Sequence, residues 1–141
     1  MNTSEINNIL RKHSLGFSGV YPANTLSLIK GNSFAILNTQ EANKAGAHWI
    51  AIFYNDQKCE FFDSLGRNPK FYHSYWHDFL INKSEEYLFN DERLQNEKSD
   101  DCGKFCIFYV VLRSHGIQFS SIINLLKRVD LDSFVTYLIM N

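Results

Sequence analysis

The chain has 141 residues, 45% hydrophobic and 15% aromatic, enough for one sizeable core and too few for two ordinary domains, so residues 1–141 are read as a single domain. Lys plus Arg total 14 against 15 for Asp plus Glu, which excludes an extended basic phosphate-binding surface and leaves DNA as at most a secondary partner. With two prolines, seven glycines and no low-complexity tract or fixed-period repeat, disordered and solenoid classes are excluded as well.

In chain order, Ile6, Ile9 and Leu10 recur at helical spacing after Ser4, read as the N-cap, and the helix stops near Ser14-Leu15-Gly16. Phe34-Ala35-Ile36-Leu37 is a brief apolar run that reads as a strand or a buried edge. His48 to Tyr54 and Lys58 to Asp63 are strand-favouring segments joined by the turn formers Asn55-Asp56, the clearest hairpin in the chain. Tyr72, Tyr75, Trp76, Phe79 and Leu80 mark one face of an amphipathic helix. Tyr87-Leu88-Phe89 and Arg93-Leu94-Gln95 then read as one or two short strands entering a polar loop. Phe105, Phe108, Tyr109 and Leu112 repeat the helical spacing after Asp100-Asp101-Cys102-Gly103, and His115-Gly116 closes that helix, so Cys102 sits at a helix N-terminus. Ile122, Leu125, Leu126 and Val129 predict a further helix, and Phe134, Val135, Leu138 and Ile139 a last one. The class is α+β, a small, mainly antiparallel sheet packed against helices.

Apolar runs such as 105–112 are too short for a membrane span, and the polar residues 1–5 lack the shape of a signal peptide. A soluble chain without a membrane partner is expected. Three cysteines cannot all pair within one chain, so reduced thiols are expected and at least one is free for chemistry.

A thiol attacks a carbonyl only as thiolate, so a catalytic Cys102 needs its pKa lowered, by the helix N-terminus and by a histidine held in place. A two-residue turn centred on Asn55-Asp56 puts His48 directly across from Asp63, close enough for the carboxylate to orient the imidazole. That register also puts Ile50, Ile52, Cys59 and Phe61 on the His48 face, as a bed for the Cys102 helix, and sends Trp49, Ala51, Phe53 and Phe62 to the other. A three-residue loop would destroy the pair. Gln95, ahead of the polar loop that leads to Cys102, can reach over the nucleophile and, with the Cys102 backbone N–H, form an oxyanion hole.

Gly46-Ala47-His48-Trp49, Phe62-Asp63-Ser64-Leu65-Gly66 and Gln95 followed by Cys102-Gly103-Lys104-Phe105-Cys106 resemble, in order and spacing, the active-site blocks of adenovirus-type (adenain) proteases and, more distantly, of proteases for ubiquitin-like proteins. Leu15-Gly16, Gly19-Val20-Tyr21-Pro22 and residues 34–39 resemble the adenoviral side in particular. The resemblance implies a thiol protease with the catalytic order His48, Asp63, Gln95, Cys102. It implies polypeptide substrates, namely viral precursor proteins of the capsid or core cut at glycine-containing sites. It also implies action in the host cell, cytoplasm or nucleus, with packaging in the virion. Two departures matter. No cysteine lies between Cys59 and Cys102, so an activating peptide linked by a disulfide is not expected, and adenoviral enzymes run considerably further past the nucleophile.

Several residues have plainer readings. Cys106 and Cys59 fall among apolar neighbours and read as core. His13, His73, His77 and His115 have no paired acid; His73 and His77 at i, i+4 are at most half a metal site, so neither metal nor cofactor is expected. Trp49 and Gly103 are candidates for the substrate cleft, Trp49 serving also as a core aromatic, while Asp100 and Asp101 read as a solvent-facing helix cap. Two other functions fit the same residues: removal of ubiquitin-like modifiers, or a catalytically silent relative that binds peptide.

Overall fold

The computed structural model describes residues 1–29, 31–40, 48–55, 58–83, 86–96 and 99–141. Helix α1 (Thr3–His13) opens two residues earlier than expected, because Asn2 and not Ser4 caps it, its side chain accepting from the Glu5 N–H at 2.9 Å. Strand β1 (Phe17–Tyr21), a 3-10 turn (Ala23–Leu28) and β2 (Ser33–Asn38) follow, then β3 (Trp49–Tyr54) and β4 (Lys58–Phe62). After them come α2 (Pro69–Tyr72), α3 (Ser74–Lys83), β5 (Glu86–Phe89), α4 (Cys102–Ser114), α5 (Phe119–Leu126) and α6 (Leu131–Met140). Among the described residues no helix is long and apolar enough to cross a membrane.

The strands lie in the order β1-β2-β3-β4-β5, antiparallel through β2, β3 and β4, with a parallel strand added at each edge. Strand β2 is therefore internal and not an edge, and it reads as an unbroken apolar run because helices cover both faces. On one face Phe34, Ile36, Ala51 and Phe62 pack against α1, α4, α5 and α6. On the other, Ala35, Leu37, Ile50, Ile52, Cys59 and Phe61 meet Trp76 and Leu80 of α3. The Cys102 helix thus rests on the Trp49, Ala51 and Phe62 face, the reverse of the expected bed. Period-two patterning sorts residues into two faces, but where both are apolar it cannot say which helix covers which.

The hairpin register also differs from expectation. Ala51 pairs with Phe62 and Tyr54 with Cys59, and the Asn55 N–H donates to the Lys58 carbonyl at 2.9 Å. Asn55 therefore flanks the turn, its side chain accepting from the Lys58 N–H at 2.7 Å. Asp56, the other expected turn residue, lies outside the described residues, as do Gly46 and Ala47. The register moves by two residues, which preserves faces. Asp63 is consequently a diagonal neighbour of His48 and not its direct opposite, a distance that longer side chains still span.

Two other elements break where periodicity ran on. The helix expected from Tyr72 to Leu80 is interrupted at His73, whose backbone is extended and whose Nε2–H donates to the Thr39 carbonyl at 2.8 Å. Residues 93–95 form no strand. The Leu94 and Gln95 N–H groups both donate to the Ser64 carbonyl, at 2.8 and 2.9 Å.

Candidate active site

Cys102 is the first residue of α4, where the N–H groups of the opening turn have no acceptor within the helix. It is 8% exposed. Burial pushes its thiol up, but the hydrogen bond to His48, the backbone N–H groups of Trp49 and Gly103, and the charge of His48 outweigh burial and hold it below the ordinary thiol range. His48 lies just before β3, its carbonyl accepting from the Thr39 N–H at 2.8 Å. Its Nε2 meets Asp63 Oδ1 at 2.6 Å, which leaves Nδ1 for the thiol. Burial lowers the histidine, yet hydrogen bonds to Asp63 and Cys102 prevail and push it up to about 9. Both shifts favour the thiolate facing an imidazolium.

Asp63 is fully buried, and each oxygen is occupied. Oδ1 accepts from His48 and from the Leu65 N–H at 2.9 Å, Oδ2 from the Arg67 N–H at 3.2 Å and the Tyr72 hydroxyl at 2.5 Å. Asn90 clamps its backbone from both sides, accepting from the Asp63 N–H at 3.0 Å and donating to its carbonyl at 2.5 Å. Burial and the neighbouring carboxylate push the Tyr72 hydroxyl well up, so it stays a donor, and its ring stacks on His48 with centroids 6.0 Å apart. The loop that carries Asp63 turns at Gly66, whose φ is +72° and where a Cβ would lie 2.6 Å from the Glu92 carbonyl carbon.

Gln95 is nearly buried. Its Oε1 accepts from the Ser64 hydroxyl and its Nε2 donates to the Ser99 carbonyl at 2.8 Å. A cleft of about 740 Å³ brings His48, Trp49, Arg67, Tyr72, Gln95 and Cys102 to one surface. Trp49 serves two purposes, lining that cleft and packing on α4, since a Cβ at Gly103 would lie 3.3 Å from its ring. Gly103 is buried beneath Trp49 and Ile6 and does not line the cleft; what it offers the site is its N–H toward the sulfur. Asp100 reaches the cleft, and Asp101, the N-cap residue, makes an ion pair with Lys104 at 3.4 Å.

The other thiols are core. Burial and Glu60 push Cys59 up to about 12, and burial drives Cys106 well above the ordinary range. Among the described residues no group of three His, Cys, Asp or Glu side chains could hold a metal. His73 and His77 do not share a helix face, because His73 sits in the break before α3. Sequence reasoning missed Ser64, Tyr72 and Asn90. Ser64 stood inside one of the resembling blocks without a role, Tyr72 was read only as part of an amphipathic helix face, and nothing in the local pattern marks Asn90.

A cysteine at a helix N-terminus, in contact with a histidine that a buried carboxylate orients on this α+β frame, is the arrangement that cysteine peptidases use. The chain belongs to the adenovirus endoprotease family, whose model matches residues 17–135. The match reaches past Leu112 and takes in α5 and the first half of α6. Comparison with curated proteins returns no match. Two crystal structures of the ASFV protease are similar, with TM-scores of 0.64 and 0.54 at 16% and 21% identity. They cover 97% and 75% of this chain, which spans 65% and 42% of theirs. The central domain of an uncharacterized Legionella pneumophila protein is similar at TM-score 0.55 and 13% identity, over 100% of this chain and 98% of that one. The SUMO protease Ulp1, with its catalytic cysteine oxidized to a sulfinic acid, is similar at TM-score 0.50 and 13% identity, over 98% and 78%. At these identities the likenesses establish the fold.

Proposed function

We propose that this chain acts as a cysteine endopeptidase on viral precursor proteins of the capsid or core, cutting at glycine-containing sites within the host cell or the virion. The contact of Cys102, His48 and Asp63 carries the reading. The Cys102 thiolate attacks the scissile carbonyl carbon, and the oxygen that gains the electron pair is met by the Cys102 N–H and the Gln95 amide. Collapse expels the amine, which takes its proton from His48, leaving an acyl thioester and a neutral imidazole. That imidazole then removes a proton from water, which attacks the thioester and releases the acid. Asp63 keeps the ring in place throughout. The viral substrate class is supported by the adenovirus family match and the likeness to the ASFV protease.

Labelling by a thiol reagent near neutral pH tests the assignment. Cys102→Ala should abolish both labelling and peptide cleavage, whereas Cys59→Ala and Cys106→Ala should keep both. Cleavage that survives in Cys102→Ala would overturn it. The likeness to Ulp1 favours one second reading, removal of ubiquitin-like modifiers. Preference for a ubiquitin-like fusion over a glycine-containing capsid-precursor peptide would select it.

A further inference from the structure

Ser64 is fully buried beside the catalytic acid, and every polar group it carries that enters a described bond is turned toward Gln95 and its neighbour. Its carbonyl accepts from the Leu94 and Gln95 N–H groups at 2.8 and 2.9 Å, and its hydroxyl donates to Gln95 Oε1. The two ends of a glutamine amide are nearly isosteric, so something must decide which end faces where. Here a donor meets the oxygen and the Ser99 carbonyl meets the nitrogen. Turned over, the amide would set its oxygen against the Ser99 carbonyl and its N–H against a hydroxyl that can accept. Ser99 alone resists that flip through one bond to an irregular segment, whereas Ser64 is anchored in a loop that Gly66, Asn90 and the Asp63 contacts hold.

We propose that Ser64 is a positioning residue for the oxyanion hole. It fixes the Gln95 amide with Nε2 toward the cleft, and, as the residue after Asp63, it ties the oxyanion donor to the acid that orients His48. One loop thereby sets both halves of the site, the proton-transfer pair and the anion-stabilising amide. This rests on the reading of Gln95 as an oxyanion donor.

The chemistry separates the halves. Alkylation of Cys102 by iodoacetamide is a displacement at an sp³ carbon that needs the thiolate pair but builds no oxyanion, while peptide cleavage needs both. Gln95→Ala should lower kcat by about 10²–10³, and Ser64→Ala by roughly 10- to 100-fold, the factor expected when a buried polar group loses its hydrogen-bond partner. Both should keep the wild-type alkylation rate and its pH profile. In the double variant the loss should equal that of Gln95→Ala alone, since a residue acting through Gln95 has nothing left to act on. Ser64→Thr, which keeps the hydroxyl, should recover most of the cleavage.

Three results would overturn the proposal while leaving the oxyanion reading of Gln95 in place: wild-type kcat in Ser64→Ala beside an impaired Gln95→Ala, losses that multiply in the double variant, or alkylation that falls together with cleavage in Ser64→Ala alone. The last would make Ser64 a support of the fold. Wild-type kcat in Gln95→Ala would instead remove the oxyanion reading of Gln95 and the proposal with it.

Discussion

His48 is held by opposing effects, and their balance gives the site a pH window. Burial favours the neutral ring, while the bonds to Asp63 and Cys102 favour the imidazolium and carry it to about 9. The reactive pair appears as pH rises through the lowered pKa of Cys102 and disappears as it rises through that of His48. kcat/KM should therefore rise through the lowered pKa of Cys102 and fall above about 9, where no proton remains for the leaving amine. Alkylation should persist there, because the thiolate survives. Asp63→Asn removes the main support of the imidazolium, so the alkaline limb should move down toward the ordinary histidine range near 6.5. A pH profile of kcat/KM for the two proteins checks this, and a limb that stays at about 9 would show that Cys102 alone holds the proton.

At the scale of elements, the loop after β4 matters more than any strand, and Gly66 is its narrowest point. A Cβ there would meet the Glu92 carbonyl at 2.8 Å and the Arg93 nitrogen at 2.7 Å, all backbone atoms that cannot step aside. Gly116 also has a positive φ, +95°, but nothing lies within 4 Å of its would-be Cβ. Gly116→Ala should thus cost only the left-handed conformation, about 1–2 kcal/mol. Gly66→Ala should cost distinctly more and also lose cleavage, because Asp63 and Ser64 share its loop. Thermal unfolding and kcat of the two variants make the comparison; equal melting temperatures with equal kcat would mean that the 92–93 segment yields freely. This loop also shows why some of the site was legible in the sequence. His48 and Asp63 were paired from the hairpin although the turn was misplaced, since a two-residue shift keeps both on one face. Asn90 and Tyr72 were not legible. Their roles arise from the helix break at His73 and from a buried amide meeting a backbone 27 residues away, neither of which leaves a periodic trace. Gln95 was named as an oxyanion donor from its place before the polar loop and from the ordered blocks, while its contact with Ser64 depends on an irregular segment that was read as strand.

Across the whole molecule, α4 carries chemistry at one end and stability at the other. Its last turn holds Arg113, whose Nε lies 3.0 and 3.1 Å from the two oxygens of Glu60, a fully buried carboxylate that also accepts from the Tyr109 hydroxyl at 2.6 Å. Glu60 projects from the α4 face of the sheet, near the turn of the hairpin that presents His48 and Asp63 at its other end. Burial of an unpaired carboxylate is costly, and removing one partner of such a pair commonly destabilises by about 3–5 kcal/mol. Tyr109 remains in Arg113→Met, and Lys58 approaches Glu60 at 3.8 Å, so the expected loss is about 3 kcal/mol, at the lower end of that range. Cys102 lies eleven residues away along the helix, roughly 16 Å at the helical rise, with the rigid core of Phe105, Cys106, Phe108 and Tyr109 between. The variant should therefore unfold at lower denaturant while the folded fraction keeps its thiol alkylation rate and its kcat. Replacing both Glu60 and Arg113 by apolar residues of similar size should recover much of the stability, because the uncompensated charge is then gone. Denaturant titration with alkylation measured below the transition reads both quantities in one protein. A change in alkylation at constant folded fraction would mean that α4 transmits the Glu60 contact to its first turn, and would join the two functions that the structure places at opposite ends of one helix.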